Sequence, residues 1–160
     1  MEKKIEVLIQ SIHKAFAGVR LGRGVSWREA DVLDSYGSNE ERKLARAKDE
    51  QRDWSKIPFS LIGAMQYQNV LPFLDTAGLK FYLPICMIYV LSNYKESQSL
   101  ISDSLMYTLA RASTINELKK ALNESQISCV IDFLNICMEI GDDYLDIKDL
   151  PMALKSHWVE

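Results

Sequence analysis

The stretch NESQISCVIDFLNICMEIG, residues 123–141, decides the fold class. Ile127, Val130, Ile131, Leu134 and Met138 recur at helical spacing and make one apolar face. Phe133, Ile136, Cys137 and Ile140 widen that face nearly all the way round, as in a helix buried on several sides. Asn123 and Gln126 have the spacing of a capping box, and Gly141 supplies a stop. A central apolar helix near 124–140 is therefore predicted.

The same grammar repeats outward from this helix. Ile5, Leu8, Ile9, Ile12 and Phe16 fall on one helical face, with Gly18 as the stop. Ser26 with Glu29, Ser38 with Glu41 and Thr114 with Glu117 each match the S/T-x-x-E start signal. Residues 26–37 and 38–54 thus read as two successive short helices, separated by Gly37. Residues 102–112 read as another helix, with Leu105, Met106 and Leu109 inward, and a last short helix follows Pro151. Between 57 and 94 the chain is mostly apolar and interrupted by Pro58, Pro72 and Pro84. Proline favours first turns of helices, so three short helices are expected there, one capped by Asp75 or Thr76. β-Branched residues are sparse and strict alternation is absent, which excludes strands. The expectation is an all-α fold: a single compact domain, residues 1–160, of about seven to nine helices.

The chain has 160 residues, 48% of them hydrophobic, and a formal charge of −3. That is enough apolar content for one sizeable core, and the charge argues against direct binding of nucleic acid. Cys86, Cys129 and Cys137 form an odd set without CxxC spacing, each inside an apolar run. They read as buried, reduced thiols of a cytoplasmic protein. The N-terminal residues are amphipathic rather than continuously apolar. The longest apolar run, 81–91, is far shorter than the roughly 20 residues of a membrane span, so no membrane association is expected.

Few residues have the arrangement that catalysis needs. His13 and His157 lie far apart, no acidic loop has calcium-binding spacing, and no G-x-S-x-G elbow is present. The GRG at 22–24 lacks the third glycine and the lysine of a phosphate-cradling loop, and reads as a flexible helix connection. No catalytic residue, metal or cofactor is expected.

Two charged regions remain. Glu139, Asp142, Asp143, Asp146 and Asp149 are opposed only by Lys148. In residues 38–54, Glu40, Glu41, Asp49, Glu50 and Asp53 are balanced by Arg42, Lys43, Arg46, Lys48 and Arg52. These ten acids are the candidate partner-binding residues. Local pairs such as Asp49 with Arg52 would support a surface helix there, so 26–54 reads as a scaffold edge or a recognition face.

The series GVSWREADVLDSYG, then RKLARAKDEQRDWSKIP, then FLDTAGLKFYLPICMIYVL resembles a family of small, mostly bacterial helical proteins with no assigned activity. The resemblance covers residues 16–91. Its marks are D-W-x-x-I-P at Asp53–Trp54 through Ile57–Pro58 and F-Y-L-P at 81–84, where the latter opens an apolar helix. Ile85 departs from the family's usual alanine. Some members resemble immunity proteins of contact-dependent growth-inhibition toxin systems, and no catalytic residues carry over. The resemblance implies a non-catalytic protein that neutralises a cognate toxin, a basic nuclease domain, in a one-to-one complex. The acids would complement the nuclease cleft, with Trp54 and Trp158 as aromatic anchors. Two alternatives are an adaptor or homo-oligomer using the apolar 81–91 surface, and an enzyme using the carboxylates around Asp142.

Overall fold

A computed structural model describes residues 1–159. Among them are nine α-helices and no strand. In chain order these are α1 (Glu2–Ala15), α2 (Trp27–Asp34), α3 (Asn39–Ala47), α4 (Phe59–Ile62), α5 (Thr76–Asn93), α6 (Ile101–Ala110), α7 (Ala112–Ala121), α8 (Glu124–Ile140) and α9 (Leu150–Ala153). Three 3₁₀ turns, Trp54–Lys56, Met65–Tyr67 and Leu71–Phe73, join α3 to α5, and a π turn, Leu154–Trp158, follows α9. One hydrophobic cluster runs through the whole assembly. No helix among the described residues is long and apolar enough to cross a membrane.

The most deeply buried element is α5, not α8. Every residue from 81 to 91 is buried, and α5 touches α1, α4, α6 and α7. Helix α8 packs on α1 and α9 and keeps one exposed edge. Three short helices were expected across 57–94, with F-Y-L-P opening the last of them. Instead Pro84 lies in the middle of one helix of 18 residues. A mid-helix proline costs about 3 kcal/mol, while each large side chain buried gains about 1.5–3 kcal/mol, so an apolar surface on every side keeps α5 continuous. The same burial removes 81–91 as a contact surface for an adaptor or oligomer. Pro72 does sit in a first turn and Pro58 is the N-cap of α4, while Asp75 caps α5 by accepting the Gly78 amide at 2.8 Å.

The capping boxes at Ser38 and Asn123 form as their spacing predicts, and at Ser26 the Glu29 carboxylate accepts the Ser26 amide while Ser26 Oγ has no partner among the described residues. Thr114 with Glu117 does not start a helix. Helix α7 begins at Ala112, immediately after Arg111 breaks from α6 in extended conformation. Helix α3 stops at Ala47 rather than running to Trp54, because Leu21 N–H bonds the Gln51 carbonyl at 3.0 Å and pulls the chain back across the fold. Trp54 then turns inward, donating its indole N–H to the Phe16 carbonyl at 2.8 Å. Trp158 does the same to Leu109 at 2.8 Å. Both tryptophans are core residues and neither is a surface anchor.

The connection from α1 to α2 crosses directly over the start of α5. Val25 N–H bonds Asp75 at 2.9 Å, and a Cβ on Gly24 would lie 2.6 Å from the Gly78 nitrogen. A Cβ on Gly78 would strike the Val25 carbonyl. Backbone contacts at both positions leave no flexible side chain to yield, so Gly78→Ala is expected to cost about 2–3 kcal/mol, read by urea unfolding. An unchanged unfolding midpoint would show that this crossing is looser than described.

Candidate functional site

The charged segment 26–54 folds into a clasp. Glu29, buried in the first turn of α2, accepts Ser26 N–H at 3.0 Å. Its other oxygen receives Arg42 Nη2 at 2.8 Å and Nε at 3.2 Å, and Arg46 Nη1 lies 3.3 Å from the first. Burial alone would raise the Glu29 pKa, but the Ser26 amide and the two guanidinium groups outweigh it and hold the carboxyl below its usual range. Arg46 also donates to the carbonyls of Gly22 and Gly24, so the GRG connection is clamped rather than flexible.

Asp49 closes the clasp. Its side chain is 1% exposed and accepts Arg28 N–H at 2.8 Å and Arg28 Nη1 at 2.7 Å. The expected local pair with Arg52 is replaced by this long-range one, because Asp49 lies beyond the end of α3 and faces the start of α2. Trp27 N–H donates to Tyr82 Oη at 2.9 Å, which fastens the clasp to α5.

The other acids of this segment divide by task. Glu41 completes the capping box on Ser38. Glu50 accepts the amides of Arg52 and Asp53, and the Arg52 bond holds its carboxyl below the usual range. Asp53 accepts the Ser55 hydroxyl at 2.6 Å and the Ser55 amide at 3.0 Å, and is likewise lowered. Glu40 is exposed and makes no ion pair among the described residues.

The C-terminal acids occupy a different environment. Glu139 pairs with Lys4 at 3.0 Å across the exposed edge between α8 and α1. Asp142, Asp143, Asp146 and Asp149 are all exposed. Among the described residues no cation lies within ion-pair distance of them. Their loop is nevertheless fixed. Leu145 and Leu150 are buried beneath it, Tyr144 packs edge-on against Tyr94, and Asp146 N–H donates to Asp103 at 3.0 Å. Asp103, Asp142, Asp143 and Asp146 line one shallow depression in which Lys148 is the only cation. Asp103 and Glu29 are not among the ten candidate acids of the sequence. Asp103 is on the outward side of its helix, where the sequence signals only the inward face. Glu29 carries the local signal of a capping box and none of its arginine partners.

The cysteines are free and buried, and burial pushes each thiol pKa up. His13 stacks on Trp54 at 5.1 Å, and the His157 carbonyl accepts Lys119. Among the described residues, no three His, Cys, Asp or Glu side chains are placed to hold a metal ion.

The chain belongs to the family described as "Family of unknown function (DUF6714)", whose pattern matches residues 4–160. No curated protein and no solved structure matches it. Membership of a family without an assigned activity agrees with the expectation of an uncharacterised family.

Within the clasp segment, the buried acid and an exposed one respond differently to loss of a carboxylate. Asp49→Ala strands a half-buried guanidinium and an amide, with an expected cost of about 2–3 kcal/mol in urea unfolding. Glu40→Ala is expected to change stability by less than about 0.5 kcal/mol. Equal effects would mean that Asp49 is not structural.

Proposed function

We propose that this member of the family is a non-catalytic binding protein. It acts as an immunity protein that neutralises a bacterial nuclease toxin of the contact-dependent growth-inhibition type, by occluding the toxin's basic active-site cleft. One observation supports the reading above the others. The fold neutralises its inward-facing acids, Glu29 and Asp49, with arginine, yet leaves Asp142, Asp143, Asp146 and Asp149 exposed and, among the described residues, without an ion pair. Keeping like charges close together is unfavourable for the free protein, and a cationic partner relieves it.

A nuclease offers the required complement. Its cleft must bind a polyanion, so it is lined with lysine and arginine. An acidic surface steers such a cleft toward encounter over about 10 Å at 0.1 M salt. The depression at Asp103 and Asp142 to Asp146 would face the cleft. The clasp fastens α2 to α5 and presents exposed charge of both signs, through Glu40, Glu41, Lys43, Lys48 and Arg52.

Co-expression with the product of the gene immediately upstream is expected to yield a stable one-to-one complex and to rescue growth. Reversing Asp142, Asp143 and Asp146 together to lysine should slow association at least about tenfold at low salt and flatten its salt dependence. Association that is insensitive to both salt and these substitutions contradicts cleft occlusion by charge.

A further inference from the structure

Residues 59–74 form an uninterrupted run of 16 without a single charged side chain. Ile62, Val70 and Leu71 anchor it in the core, whereas Phe59, Met65 and Phe73 all reach solvent. Met65 is 59% exposed. Beside this run lies the start of α6, where Leu100, Asp103 and Tyr107 are spaced i, i+3 and i+7 and make one outward stripe. Leu100 is 54% exposed and Tyr107 is 59% exposed.

Hydrogen bonds and ring contacts make these residues neighbours. The Phe59 ring meets Tyr89 edge-on at 5.6 Å, and Tyr89 Oη bonds Ser97 Oγ at 2.6 Å in the loop that leads to Leu100. Gln68 Oε1 accepts Leu100 N–H at 3.5 Å, which places the 65–67 turn against the same loop. These contacts bring the segments that carry Phe59 and Met65 up to the loop that carries Leu100. That loop meets the acidic depression at Asp103, whose carboxylate receives the Asp146 amide.

From this adjacency we infer that the apolar face of Phe59, Met65 and Leu100 and the acidic depression at Asp103–Asp146 form one bipartite docking surface for a basic protein partner that projects an apolar side chain beside its cations. The inference deepens the immunity reading and rests on it for the partner's identity. Uncharged, aromatic- and methionine-bearing surface has the composition of an interface centre, whereas acidic residues belong at the rim. Grouped rather than scattered, exposed apolar side chains mark a site of interaction. Charge complementarity selects the occupant. A second copy of this chain would bring its own acids against Asp103, Asp142 and Asp143, and like charges so close repel. In a basic partner the acids set the encounter rate and the apolar contact sets the lifetime.

Methyl and amide NMR of the whole chain tests the surface with two short synthetic peptides of equal positive charge. One alternates lysine with serine, and the other groups leucine and tryptophan along one side of its lysines. The second is expected to bind at least about tenfold more tightly, shifting the Met65 and Leu100 methyls together with the 142–146 amides. Leu100→Ser combined with Met65→Ser should abolish that preference and leave the weaker serine peptide unaffected. Both sites are exposed, so an unchanged melting temperature will show that the fold is intact. Equal affinities, no binding, or shifts confined to the groove between α1 and α8 overturn the inference. So does self-association by sedimentation that Leu100→Asp removes, which would assign the face to a second copy. The complex with the upstream gene product is scored separately. If the peptides fail while that complex forms, the bipartite surface falls and the immunity reading stands. Discriminating peptides without that complex would reverse this outcome.

Discussion

Glu29 sits where three requirements meet. It must satisfy the Ser26 amide at the N-cap of α2, it is buried against the body of the fold, and it receives two arginines from α3. A carboxylate out of water is tolerated only when its oxygens are fully engaged, so the position of α3 follows from the position of Glu29. Arg46, held by Glu29, reaches on to the Gly22 and Gly24 carbonyls and fixes the connection that crosses α5. Asp49 and Arg28 then close the segment from the other side. Through this chain of contacts the most charged part of the sequence becomes a support for the most apolar helix.

The two groups of acids look alike in composition and differ in consequence. Those within 26–54 are mostly committed to amides or guanidinium groups of the same chain. Those at 142–149 are left to solvent on a loop that Leu145 and Leu150 pin from below. Exposed surface pairs contribute little to stability, and unmatched acids contribute nothing favourable. Their value to the protein lies in what they attract. The apolar stripe beside them gives such attraction a place to become lasting contact.

Much of the fold was legible because its signals are local. The starts of α2, α3 and α8 follow from Ser26, Ser38 and Asn123, and the fold class follows from the period of 127–138. What was not legible depends on distance in the chain. Pro84 was read as a boundary because nothing in its neighbourhood reveals that α5 is enclosed on every side. Asp49 was read as a surface acid because its partner lies 21 residues away. Trp54 and Trp158 were read as anchors because their indole N–H groups find carbonyls far off in sequence, on Phe16 and Leu109. Of the candidate site, the C-terminal acids were visible as a run, while Asp103 joins them only through a backbone bond that folding creates.

The division of labour between clasp and docking face is tested most directly by amide hydrogen exchange on the complex with the upstream gene product. Protection gained on binding should concentrate at 97–103 and 142–149 and leave 38–49 unchanged. Protection centred on α3, with the C-terminal loop exchanging as in the free protein, would contradict this assignment and return recognition to the charged segment.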